Sequence, residues 1–315
     1  MIHLFSMNKT PDVKKERVAK AIALAGNNRI STIPSMLTKI NKLARDPNAS
    51  LRDYATLCEL DQSSCVKVLM LANSAAFGAR TGAVVRNVQE AVVRLGARKT
   101  REVITSTVVA PMFKNGHSFS DYSPSALWLN SVAVAVSNRL LYQLTNRQEP
   151  ADADPYLAGL LHNFAIPIEH LCFMEEGFQA AVNARALNQS MLAEEETRHL
   201  GINHNELGAS LARQWNFPEK ICEVIEHHHD RQRSESPACS ELTHITRASQ
   251  WLCLELGQGY SEFCEGHADA YLCSFNALGI SADAFATARQ QLMIEMDRLH
   301  QLGWFSGLKL QRSTH

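Results

Sequence analysis

Apolar residues recur at helical spacing from Val13 to Leu302, and no stretch alternates apolar with polar residues between hairpin turns. That pattern restricts the chain to an all-α fold. A lead-in helix is expected over Val13 to Ala25, ending at Gly26-Asn27-Asn28, and a second begins at Ile33-Pro34-Ser35 and stops at Asp46-Pro47-Asn48. Ser50-Leu51-Arg52-Asp53 reads as a capping box with Asp in place of Glu, and Asp61 as the cap of the helix that follows. Helices are then expected over Val88 to Leu95 before Gly96, from Arg98 to Phe113, and from Pro124 to about Leu144. Tyr156 to Leu171 forms a central segment interrupted at Pro167. Further helices follow over Glu175 to Leu187, Met191 to Leu200, His204 to Trp215, Pro218 to His229, Glu241 to Leu256 and Ala282 to Leu302.

A chain of 315 residues exceeds what one core comfortably holds, so two lobes are expected, with polar Gly116 to Ser123 as the hinge between them. The net charge of −1, from 31 basic and 32 acidic residues, supplies no long-range field for a polyanion, which disfavours nucleic acid as a partner. Cys58, Cys65, Cys172, Cys222, Cys239, Cys253, Cys264 and Cys273 are scattered without a CxxC pair, as expected of reduced core thiols in a cytoplasmic protein. Met1 to Arg17 lacks the order of a signal peptide, and no apolar run approaches the roughly 18 to 20 residues of a spanning helix. A soluble, intracellular protein with no membrane partner is expected.

Chemistry centres on Ala158-Gly159-Leu160-Leu161-His162-Asn163. A His followed by an Asp would offer imidazole and carboxylate to one cation; an Asn offers an uncharged amide instead. His162, His204 and the His227-His228-His229 triplet are the candidate ligands, though each alone is more often a satisfied structural histidine. Glu169 and Glu206 are the candidate compensating carboxylates, but a helix turns Glu206 about 200° away from His204. Asn73 reads as a hydrogen-bonded structural amide. Arg98, Lys99 and Arg101 read as a solvated basic face, with a nucleotide or phosphate site as the sharper alternative.

Several separated stretches resemble, in order, the HDOD domains, output-domain relatives of the HD phosphohydrolases of bacterial signalling. They are Ile33-Pro34, Asp61 with Leu69-Met70-Leu71-Ala72-Asn73-Ser74, Ala91 to Gly96, Ala158 to His162, His204 with Gly208, Trp215-Asn216-Phe217-Pro218, and Ile225 with His228-His229. The resemblance implies a two-lobed helical bundle: an N-terminal helical extension over 1–29, a domain over 30–302 with a first lobe at about 30–115 and an HD-like lobe at about 124–302, and a tail over 303–315. Set against a working HD enzyme, it puts Asn130 where the first His would fall, keeps His162, puts Asn163 for the Asp, and brings Ser249 near the final Asp.

The implied site is vestigial. No metal, cofactor or catalytic residue is expected, and any ion that did bind would fall to His162, His204 and His228. The function implied is a non-catalytic signalling module that binds a protein partner, with a nucleotide second messenger as a weaker possibility. The alternative is a metal-dependent phosphohydrolase acting on a nucleotide or phosphodiester, which would need a divalent cation.

Overall fold

The computed structural model describes residues 11–27, 32–78, 84–113, 123–145, 153–186, 192–230, 240–258 and 274–305. All regular elements among them are helical, and they form two lobes. The hinge read at Gly116 to Ser123, apart from Ser123, the tail beyond Phe305, and Cys239, Cys264 and Cys273 lie outside the described residues.

In the first lobe α2 (Thr32–Arg45), α3 (Leu51–Glu59), α4 (Gln62–Ala72) and the short α5 (Ala75–Gly78) lead to α6 (Val88–Val109), against which α2, α3 and α4 pack. Local chemistry sets the boundaries as the sequence indicates. Ser50 and Asp53 form a reciprocal capping box at the start of α3, and Asp61 caps α4 by accepting from the Ser64 amide. Asn73 acts as a clamp: its Nδ2 donates to the Val85 carbonyl at 2.9 Å and its Oδ1 accepts from the Val85 amide at 2.8 Å. Gly96 takes φ 77° inside α6, a left-handed value that breaks the helix where its terminating glycine was expected.

The second lobe is built on α7 (Pro124–Leu144) and α8 (Pro155–Leu161), followed by α9 (Ala165–Cys172), α10 (Met174–Ala186), α11 (Leu192–Leu200), α12 (His204–Gln214), α13 (Glu219–His227) and α14 (Glu241–Glu255). A helical turn over 274–278, α15, and a long α16 (Ala282–Gln301) complete the described chain, with α16 lying on α7. α8 can lie flat on α7 because residue 159 is glycine: a Cβ there would stand 2.7 Å from the Ala135 Cα. Gly208 does the same for α12, where a Cβ would come within 2.8 Å of an Ile225 methyl and 3.2 Å of the Ala165 Cβ.

Two sequence expectations are corrected. The break in the central segment falls at His162-Asn163-Phe164 and not at Pro167, which occupies the first turn of α9, where its missing N–H leaves no helix bond unmade. The basic run is a solvated face only at Arg98, which is exposed; Lys99 and Arg101 are half-buried in ion pairs. Lys99 pairs with Glu102 at 2.9 Å, Arg101 with Asp154 at 2.8 Å, and Arg139 also reaches Glu102 at 3.2 Å. These pairs join α6 of the first lobe to α7 and to the cap of α8. The N-terminal helix α1 (Pro11–Asn27), read as an extension, lies against α9 and α12 with Ala21 fully buried.

Candidate functional site

The relocated break puts His162 and Asn163 at the corner between α8 and α9, and two other helix ends meet them there. His204 is the first residue of α12, while His228 and His229 follow the last residue of α13. The rings of His162 and His228 meet edge to face at 5.2 Å between centroids, those of His204 and His229 at 5.3 Å, and those of His228 and His229 at 4.0 Å. One nitrogen from each of His204, His228 and His229 can be chosen so that all lie within 4.8 Å of one another. Thus His229, left inside the triplet by sequence reasoning, joins the cluster more closely than His162.

Hydrogen bonds fix how the rings face. His162 Nδ1 lies 2.6 Å from the Gly159 carbonyl, and His228 Nδ1 lies 2.9 Å from that of Ile225 and 3.1 Å from that of Val224. A carbonyl only accepts, so both Nδ1 atoms carry the proton, and in a neutral ring so held Nε2 is the lone pair. His204 Nδ1 contacts Glu196 Oε2 at 2.6 Å, and the same oxygen accepts from the His204 amide at 2.8 Å, closing the start of α12 with a carboxylate. Metal-ligating histidines are held in this way, with the far nitrogen tied to a carbonyl or carboxylate.

The charges around the cluster point the other way. Asn163 Oδ1 stands 3.1 Å from His228 Nε2. Burial, then the neighbouring His229, His162 and His204, pushes the His228 imidazole far below its usual range, so its Nε2 is a lone pair. The contact is a hydrogen bond when the amide turns its NH2 toward the ring, which an Asp carboxylate cannot do. His229 is held down by burial, by His204 and His162, and by the Arg247 guanidinium. Arg247, itself buried, caps the end of α13: it donates to the carbonyls of His228 (3.1 Å), His227 (2.6 Å) and Asp230 (2.5 Å). A fixed cation thus stands where the chemistry of a divalent ion asks for anions.

Behind His204 lies a carboxyl pair that sequence reasoning saw only in part. Glu196 was one letter of an acidic run, while Glu169 was named; both are fully buried. Burial, reinforced by Glu196, lifts the Glu169 carboxyl well above the usual carboxylate range, as in pairs that hold a proton between them. His170 beside them is pushed down to about 4, mainly by burial. Glu206 faces away and pairs with Lys14 at 2.6 Å, as its helical offset from His204 required.

The degenerate positions are dispersed. Asn130 donates from α7 to the Gln258 carbonyl at 3.2 Å, just past the end of α14. Ser249 is buried on α14, two residues and therefore about 200° around the helix from Arg247.

An all-helical chain in two lobes, with histidines gathered at helix corners of the second, has the HD-like architecture. The HDOD domain profile matches residues 30–231, and the chain belongs to that family. It is 27% identical over 209 residues to an uncharacterized protein of Treponema pallidum (strain Nichols), covering 64% of this chain and 38% of that protein. Among solved structures, an HDOD domain protein with unknown function from Geobacter sulfurreducens superposes with a TM-score of 0.71 at 23% identity, covering 93% of this chain and 99% of the other. A candidate signal transduction protein from Marinobacter aquaeolei VT8 gives 0.69 at 21% identity, covering 94% of this chain and 66% of that one. A candidate phosphohydrolase from Shewanella amazonensis SB2B gives 0.63 at 18% identity, covering 93% and 96%. These likenesses establish the fold. Among the described residues no helix is long and apolar enough to cross a membrane.

Proposed function

We propose that this protein is a non-catalytic signal-transduction module that acts by binding a protein partner, its HD-type site retained as a packed polar core. The observation that supports this reading is the contact between Asn163 and His228. An amide can satisfy the Nε2 lone pair by turning its NH2 toward it, and it brings no negative charge with which to hold a cation or to help bound water ionise. Arg247 beside His229 adds to the same effect. The Marinobacter relative's description as a candidate signal transduction protein is consistent with it. Localisation to the cytoplasm, and a nucleotide messenger as a secondary ligand, belong to the same proposal.

The second reading, a metal-dependent phosphohydrolase, is favoured by one observation: the ring nitrogens of His204, His228 and His229 lie close together, with Glu196 orienting His204. Neutral imidazoles can hold Zn²⁺, so these residues fit such an ion on donor type; a bound zinc would supply Lewis acidity and a more acidic water. The experiment is to measure metal content of the purified protein and its hydrolysis of nucleotides, cyclic dinucleotides and a generic phosphodiester. The module reading expects substoichiometric metal and no turnover. Turnover that disappears in His162→Ala would establish the enzyme instead.

A further inference from the structure

The helix α1 differs from the rest of the fold in how it is held. Its inward stripe is Val13, Lys14, Arg17, Val18, Ala21 and Ile22, of which only Ala21 is fully buried. Val18 and Ile22 pack partly buried against the core, and charged contacts add to that hold. Lys14 Nζ meets Glu206 of α12 at 2.6 Å, and the Arg17 guanidinium meets Glu176 of α10 at 3.1 and 3.2 Å. Arg17 also lies 4.5 Å, and Lys20 4.8 Å, from the centre of the Phe173 ring between α9 and α10. The ion pairs are open to water, Lys14 being 43% and Glu206 37% exposed, so they are weak and easily exchanged. Beneath them the surface is specific: an aromatic face flanked by the carboxylates of Glu176 and Glu206, matched to cations three residues apart on a helix.

We infer that α1 is an exchangeable occupant of an acidic, aromatic groove on the second lobe, and that the groove is the docking surface for a basic amphipathic helix of a partner protein. The partner helix presents cations with the spacing of Lys14 and Arg17, beside small aliphatic residues, and displaces α1. Charge complementarity between α1 and the groove defines that occupant. The inference extends the protein-binding reading to a particular surface. Metal content and hydrolysis test that reading, while the measurements below test this one, so either can fail alone.

Cys172 reports on the groove. It is 8% exposed at the end of α9, its thiol is pushed up to about 11 by burial, and Lys20 of α1 is close enough to act on it. The full-length chain carrying Lys14→Glu and Arg17→Glu is compared with wild type and with the milder Lys14→Gln, Arg17→Gln pair. Iodoacetamide labelling of Cys172 at pH 8 is followed by peptide mass spectrometry, with fully buried Cys253 as the internal control. A fluorescent synthetic peptide of residues 11–27 is then added in trans. Labelling of Cys172 is expected to rise about tenfold in the charge-reversed chain and less in the neutralised one, with Cys253 unchanged. The peptide is expected to bind the charge-reversed chain and to bind wild type more weakly, because there α1 already fills the groove. Three results overturn the inference: unchanged Cys172 labelling in both variants, Cys253 labelling rising in step with Cys172 in both, or no peptide binding to either variant.

Discussion

Asn163 and His228 face each other across 3.1 Å, joining the corner between α8 and α9 to the end of α13. Because the His228 Nδ1 proton is committed to the carbonyls of Val224 and Ile225, only the Nε2 lone pair is left to meet residue 163. An amide can turn its NH2 to that lone pair, a donor that no carboxylate has. A carboxylate would meet it with a second lone pair, and the two would call for a proton or a metal ion between them.

The approach of α8 to α7 makes residue 159 intolerant of a side chain. Gly159→Ala sets a methyl group 2.7 Å from the Ala135 Cα and 2.8 Å from its amide nitrogen, so backbone must move. The expected loss is about 1–3 kcal/mol in urea unfolding, with displacement of the His162 ring whose Nδ1 donates to the residue 159 carbonyl. Urea midpoint and histidine NMR shifts measure both.

Arg247 is expected to be a stability determinant. Arg247→Met takes the donor from the carbonyls of His228 and Asp230 and leaves that of His227 with the Asp230 amide alone, at a cost of about 3–5 kcal/mol. Arg247→Lys keeps the charge but cannot span the carbonyls with one ammonium, and is expected to fall between wild type and Met. Denaturant curves for the pair separate charge from fork geometry.

Glu169 gives a pH dependence whose sign is fixed. Its folded-state value is raised, so its contribution to stability is fully present below the unfolded value near 4.5 and is lost as pH rises through the folded value. Glu169→Gln, neutral at every pH, removes that loss. Thermal melts between pH 5 and 8 are therefore expected to show the variant gaining on wild type as pH rises, with a higher midpoint at pH 8.

Much of this was legible in the sequence, for identifiable reasons. Helix starts such as the Ser50 and Asp61 caps and the first-turn Pro124 are set within one turn of the backbone, so residue type alone locates them. The offset of Glu206 from His204 likewise follows from helical geometry. The pairing of Glu196 with His204, the capping of α13 by Arg247 and the pairs Arg101–Asp154 and Arg139–Glu102 were not legible. Each depends on how whole helices cross, and neither charge runs nor periodicity encodes a crossing. The break at His162 was missed because Pro167 invites a helix end, although proline in a first turn serves equally as a start.

The central claim, that an amide stands in for a cation beside His228, is tested most directly by Asn163→Asp with divalent metal titrated by calorimetry and followed by thermal melts. The account predicts that the wild type gains no thermal stability from Zn²⁺ or Mn²⁺. The metal-free variant should lose about 3–5 kcal/mol from its buried, uncompensated carboxylate and recover on binding one equivalent of ion. Tight, stoichiometric binding by the wild type itself, lost when His228 is replaced by Gln in a folded protein, would contradict it.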